Sequence, residues 1–264
     1  MGFSCRTLLD SISPAGVRLT TMEVTFPRFV LAEFNTHRAF SRNSASSRAI
    51  PTAKLIERVR TEPAMPVEWG RNKKGMSSEE LLDDTAREEA VATWLTARDE
   101  AVTHALKLGE LNVHKQTANR VLEPFLWHTV IVTATEWKNF FMLRSSASAQ
   151  PEIRVASDLM RDAYYAGIPT TVLMGQWHLP LVQDDERRLP LEDQKKISVA
   201  RCARVSYLTH DGTRNVRADM DLFERLKEDR HVSPFEHVAT PSGDEAFYAN
   251  FRGWIQMRRE IESP

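Results

Sequence analysis

Between residues 36 and 48 the chain sets three arginines, Arg38, Arg42 and Arg48, among Thr36, His37, Asn43 and the serines Ser41, Ser44, Ser46 and Ser47. Guanidinium groups pair bidentately with phosphate or carboxylate, and hydroxyls add short hydrogen bonds. The chemistry on offer is capture of an anion. The stretch holds no glycine, which excludes a phosphate-cradling P-loop. On composition alone a solvated serine-rich loop is the favoured reading.

Three more polar clusters carry candidate chemistry. In "QTANRVLEPF" (116–125), Arg120 sits in an otherwise apolar pattern and has Glu123 within pairing distance along the chain. Asn139 and Arg144 border Trp137, Phe140 and Phe141. A planar cofactor suits such rings, but so does an ordinary core. In "HVSPFEHVATP" (231–241), His231, Glu236 and His237 flank a Ser-Pro turn. Their spacing is not that of a zinc site, and no Ser-His-Asp pattern with a nucleophile elbow accompanies them. By itself His237 reads as a hydrogen-bonded structural histidine.

These residues need elements to position them. Residues 16–26 are β-branched and roughly alternating, as in a strand. Pro27 suits the first position of a helix that continues through Phe29, Val30, Phe34 and His37, with Glu33 and His37 on one face. Residues 61–76 hold two prolines and two glycines and read as a surface loop. A capping box, Ser77 with Glu80, predicts a long helix near 78–108. Asn112 is placed as the cap of a helix over 113–122. Residues 125–134 suit a strand or a buried helix. Helices are predicted over 136–144, from Pro151 to Gly167, and over 192–207 and 217–229. Cys202 falls on the apolar side of the third of these and reads as inert core. The expected architecture is α+β: a central, mostly antiparallel sheet of four or five short strands with helices packed on it.

The chain has 264 residues and a net charge of −1, so no bulk basic field advertises nucleic acid or an anionic membrane. Two cysteines, Cys5 and Cys202, are too few for a disulfide framework and form no CxxC pair, as expected for a reducing compartment. The first twenty residues lack a signal-peptide apolar region, and no apolar run reaches membrane-spanning length. A cytoplasmic protein that binds neither nucleic acid nor membrane is expected, with no metal site.

Each cluster alone has an ordinary reading. Together, "THRAFSRNSASSR" (36–48), "NFFMLRSSASAQPEIR" (139–154), "ARVSY" (203–207) and "SPFEH" (233–237) resemble four motifs of the flavin-dependent thymidylate synthases. In that family the last two precede the first. Here they follow it, so a single circularly permuted domain over 1–264 is expected, with its new ends between the SPFEH element and the strand leading to Pro27.

The resemblance implies transfer of a methylene from methylenetetrahydrofolate to C5 of dUMP, with FAD as cofactor and NADPH as reductant. It needs no cysteine nucleophile. It implies a homotetramer with sites shared between subunits. It assigns the catalytic positions to Arg144, His237 and Ser46. The flavin is assigned to His37, Arg38, Asn139, Ser148, Gln150 and Thr240, with Glu152 in the same segment. The nucleotide is assigned to Glu33, Ser44, Ala45, Ser46, Ser47, Arg48, Arg120 and Arg144. Four positions depart from the family pattern: Glu33 replaces a Gln, Thr36 an Arg, Ser44 a Glu and Ser148 a His. C5 hydroxymethylation, another pyrimidine nucleotide (UMP or dCMP) and non-catalytic nucleotide binding are the alternatives. The C-terminal "NFRGWIQMRREIESP" has no counterpart in the family.

Overall fold

The computed structural model describes residues 2–75, 78, 80–205 and 214–262. Ser77 of the expected capping box and Ser206 and Tyr207 of the third motif lie outside them.

Strands β1 (Ser4–Ile12) and β2 (Arg18–Pro27) form a hairpin. Its turn is closed by Ser13 N–H bonding Val17 O at 3.0 Å, with Gly16 at φ +80°, a backbone region that glycine enters without steric cost. Residues 28–30 make one 3-10 turn leading into α1 (Leu31–Asn35). Then follow β3 (Ser41–Ser44), α2 (Thr52–Thr61), α3 (Asp84–Glu110) and α4 (Lys115–Ala118). A 3-10 stretch over 119–125 leads to β4 (Trp127–Ala134), α5 (Lys138–Arg144), α6 (Pro151–Ala166) and β5 (Thr170–Thr171). The C-terminal part holds α7 (Leu191–Ala203), α8 (Val216–Glu228), the SPFEH 3-10 turn (Ser233–His237) and β6 (Ala239–Pro241). It ends with β7 (Phe247–Tyr248), β8 (Phe251–Arg252), β9 (Trp254–Gln256) and α9 (Arg258–Glu262).

The main sheet has the order β3-β4-β2-β1-β5 and is antiparallel except for the β1/β5 pair. The period-2 alternation of β2 and β4 gives the sheet two different faces. Met22, Val24 and Phe26 with Val130, Val132 and Ala134 meet Phe34, Phe40, Trp137, Phe140, Ile153 and Met160 in the largest core cluster. Burying each large side chain stabilises the fold by about 1.5–3 kcal/mol. The opposite face carries Thr21 and Thr133, whose hydroxyls bond at 2.7 Å across the strands. The C-terminal segment, which had no assigned place, packs on this side. Asn250 and Gln256 both donate to Ser41 Oγ at 3.0 Å, tying the start of β3 to β9 and the loop before β8.

The α+β architecture and mostly antiparallel sheet are as expected, but several boundaries differ. Strand β1 was not foreseen, because only the hairpin with β2 makes its mixed sequence a strand. Of residues 125–134, 127–134 are strand, since β4 pairs on both sides. The long helix begins at Asp84, six residues late. A bridge between Gly70 and Leu81 and the bond from Leu82 N to Trp69 O hold the chain extended, and Asp83 caps by accepting from Ala86 N at 3.0 Å. Asn112 caps nothing that follows. It is left-handed (φ 57°) and closes α3, while His114 caps the four-residue α4. Glu33 and His37 do not share a helical face, because α1 ends at Asn35. No helix among the described residues is long and apolar enough to cross a membrane.

Candidate active site

The Arg144 end of α5 and the turn between α1 and β3 meet at one point. Arg144 Nε donates to His37 Nε2 at 2.9 Å, and its Nη2 donates to Thr36 Oγ1 at 3.1 Å. Sequence places these residues 107 and 108 positions apart. They converge because α5 packs through Phe140 against Phe34, Phe40 and the His37 ring, the last edge-on at 4.8 Å. Burial, then Arg144, then Arg42, lowers the His37 pKa to about 4. The imidazole is therefore neutral and accepts through Nε2, which leaves the proton on Nδ1. Arg42 is half-buried and reaches the Phe34 and His37 carbonyls at 3.4 Å.

Two cations, Arg38 and Arg48, lie in sequence on either side of β3. Arg38 and Arg48 are exposed and form no hydrogen bond or ion pair among the described residues, and exposed Asn139 is likewise free. Arg120 is half-exposed and pairs with Glu123 at 2.8 Å. Ser44 is exposed, whereas Ser46, in the same turn, is half-buried. Ser47 differs: it is buried and donates to Glu123 Oε1 at 2.7 Å. With Ala45 it lines a cavity of about 160 Å³ beside Arg28, His128 and Thr129. Glu33 is half-buried, and its Oε2 is enclosed without a hydrogen-bond partner.

The segment after Arg144 continues the site. Ser148 is exposed, with its hydroxyl against Ser146 at 2.9 Å. Gln150 precedes α6 and opens on a cavity of about 420 Å³, walled by Phe29, Trp94, Glu68 and Arg154. Glu152 faces inward and holds the 61–70 loop by accepting from Val67 N at 2.7 Å. Trp137, Phe140 and Phe141 are buried, so the aromatic cluster is core rather than a cofactor platform.

Among the described residues Arg144 bonds one other expected site residue, His37; Ser47 and Arg120 meet at Glu123 instead, and His237 and Thr240 lie elsewhere. His237 is fully buried behind the sheet, with Nδ1 on Thr133 at 2.7 Å and Nε2 on Asn43 at 3.2 Å. Neither nitrogen is free for acid–base work. Thr240 lies on β6 and donates to Gln176 O at 2.8 Å. Sequence reasoning missed Thr133 and Asn43 as the partners of His237, Thr21 and His178 beyond Thr133, and the Arg28–His128 contact at 2.9 Å. Lone threonines in strands and a lone histidine in a loop give no signal before strand pairing is known.

A mostly antiparallel sheet packed with helices, in which the Arg144 end of α5 is clasped to the turn before edge strand β3, defines the class of fold. The match to known families makes this specific. The family model described as "Thymidylate synthase complementing protein" matches residues 12–170, more than half of the chain. The protein belongs to that family and is a thymidylate synthase-like methyltransferase. The structure is also similar to a UMP/dUMP methylase PolB from Streptomyces cacaoi. The form bound with 5-Br dUMP has 18% identity and a TM-score of 0.47, covering 58% of this chain and 69% of that one. The form bound with 5-Br UMP has 16% identity and a TM-score of 0.49, covering 62% and 89%. No curated protein matches the chain.

Proposed function

We propose that the protein is an FAD-dependent thymidylate synthase that converts dUMP to dTMP, with methylenetetrahydrofolate as carbon donor and NADPH as reductant. The observation that carries this reading is the Arg144–His37–Thr36 contact, made by the same stretch that carries the exposed guanidinium groups of Arg38 and Arg48. These residues suit an anionic nucleotide and an anionic dinucleotide cofactor. The guanidinium groups of Arg38 and Arg48 are exposed and pair with no carboxylate among the described residues. The flavin supplies the hydride when bound.

The chain supplies the rest. Arg48, Arg120 and the Ser44–Ser46 turn hold the nucleotide phosphate, with Ala45 and Ser47 shaping the turn's inner side. Arg144, fixed by His37 and Thr36, faces the pyrimidine and stabilises negative charge on its oxygen as C5 attacks the carbon donor. Arg38, Asn139, Ser148 and Gln150 face the flavin, with His37 beside it. No cysteine takes part. The chain acts as one domain over 1–264 with permuted motif order: the SPFEH turn is bonded to β3 through His237 and Asn43 although it follows β3 in sequence. Met142 and Leu143 are exposed next to Arg144, which supports a homotetramer that covers them and shares its sites. A cytoplasmic setting goes with these reagents.

A second substrate rests on Glu33. Its unpartnered Oε2 only accepts hydrogen bonds when ionised, so it suits a base edge that donates, either the N3–H of a uracil or the amino group of dCMP, and the amino group makes dCMP the second candidate. One experiment decides between them. The purified protein, its bound flavin read by visible absorbance, is mixed with folate, NADPH and C5-tritiated dUMP, UMP or dCMP. Tritium release and thymidylate from dUMP support the main reading. Release from dCMP alone overturns it in favour of the second, and a colourless protein inert to all three overturns both.

A further inference from the structure

A continuous hydrogen-bonded chain crosses the polar face of the sheet. Asn43 on β3 meets His237 Nε2 at 3.2 Å, and His237 Nδ1 meets Thr133 Oγ1 on β4 at 2.7 Å. Thr133 meets Thr21 on β2 at 2.7 Å, Thr21 meets His178 Nε2 at 2.8 Å, and His178 Nδ1 meets Ser11 on β1 at 2.7 Å. From His237 to Ser11 every member is at most 1% exposed.

Each hydroxyl and each neutral imidazole in this chain has one proton to give, so the bonds can run in only two self-consistent directions. Asn43 selects one. With its amide nitrogen turned inward the two N–H protons serve the carbonyls of Ser233 and Arg42 at 3.2 and 3.1 Å, and the same nitrogen stands 3.2 Å from His237 Nε2. A carbonyl has no proton to give, so the amide nitrogen must face the two carbonyls. His237 Nε2 then lies against a donor and must be bare. His237 therefore carries its proton on Nδ1 and donates to Thr133, Thr133 donates to Thr21, and Thr21 donates to His178 Nε2. His178 in turn carries its proton on Nδ1 and donates to Ser11.

The structure assigns Asn43 the role of a positioning residue that orders this proton chain and fixes both buried histidines as Nδ1–H tautomers. Strong burial keeps both rings neutral, with pKa values lowered to about 3. No ionisable carboxyl or amine belongs to the chain. The consequence is mechanical: the SPFEH turn, β3 and the His178 loop are locked in one register by bonds that cannot reverse singly. His237 is then a clamp on the strand that carries Arg42 and Ser44, not a proton carrier. This holds whatever nucleotide the protein uses.

The test is long-range ¹H–¹⁵N correlation on histidine-labelled protein, with the two rings assigned by His178→Gln and His237→Gln. Both are expected as Nδ1–H with a bare Nε2. The parent spectrum needs no altered protein, and an Nε2–H tautomer at either ring overturns the proposal. Asn43→Asp replaces the donor with an acceptor, so both rings are expected to switch to Nε2–H, including His178 four bonds away. In Asn43→Asp combined with Thr133→Val, His237 alone should switch. If Asn43→Asp moves His237 but leaves His178 unchanged, the chain is not ordered from Asn43 and the proposal fails.

Discussion

The side chain of Arg144 is clasped by two residues of the turn before β3: Nε donates to His37 Nε2 at 2.9 Å and Nη2 to Thr36 Oγ1 at 3.1 Å. Two of its donor positions are thereby committed to orientation, and the remaining N–H groups point to whatever sits in front. A lysine keeps the charge but not the planar fork. Arg144→Lys is expected to lower kcat/KM for the nucleotide about 10²-fold, the usual cost of one misaligned transition-state donor. Unfolding free energy should change by less than about 1 kcal/mol, because the contact is at the surface. Steady-state kinetics and urea unfolding on the same preparation check both halves.

Neighbouring residues in the serine turn should separate cleanly. Arg48 is exposed and forms no hydrogen bond or ion pair among the described residues, so Arg48→Ala should raise KM for the nucleotide about 10- to 100-fold and leave stability within about 0.5 kcal/mol. Ser47 is buried against Glu123, so Ser47→Ala should cost about 1–2 kcal/mol of stability. Any rise in KM there should be smaller than for Arg48→Ala. If Ser47→Ala abolishes binding with stability intact, the assignment of the two side chains is reversed.

Sequence carried the elements whose period survives in isolation: β2, α5 and the run from Pro151 to Gly167 appear where the pattern put them. Gly167 ends α6 because Arg18, held by Asp10, bonds the Gly167 and Tyr164 carbonyls, and a Cβ there would meet Asp10 and Arg18 at 2.8 and 2.9 Å. Sequence was silent where structure depends on distant pairing. Strand β1 exists through β2, and the start of α3 is set by the Trp69–Leu82 contact. In the site, the cations were legible as types, and Arg120 pairs with Glu123 as its spacing suggested. The clasp on Arg144 and the enclosure of His237 were not, because each joins residues more than a hundred positions apart.

Neither thiol is chemically available. Burial, then Glu23, raises the Cys5 pKa to about 12, and full burial raises that of Cys202 further. The thiolate is the reactive form, so almost none exists at neutral pH. Iodoacetamide at pH 7.5 is expected to leave thymidylate formation unchanged over hours, and Cys202→Ala should retain full turnover per folded molecule. Stoichiometric alkylation accompanied by loss of activity would sink the cysteine-free chemistry proposed above.

Acid should unfold this protein through its histidines before its carboxylates. Burial lowers the His128, His178 and His237 pKa values to about 3, with Arg28 adding at His128 and His237 at His178. A histidine in the unfolded chain titrates near 6.5. Between about pH 6 and 4, then, the unfolded state binds protons that the native state refuses. Stability is intact above the unfolded value and falls as pH drops through this window. The loss stops growing only below about 3, where the native rings protonate as well. Three such groups give a slope of about 4 kcal/mol per pH unit in the middle of the window. His37, lowered to about 4 and only half-buried, adds a smaller share. Urea unfolding at half-unit steps from pH 6.5 to 4.5 measures the slope directly. His128→Gln, which removes one titrating ring, should reduce the slope by about a third, even though losing the Arg28 contact lowers stability at every pH. A slope unchanged by that substitution, or stability constant across the window, would show that the buried rings are charged in the folded protein.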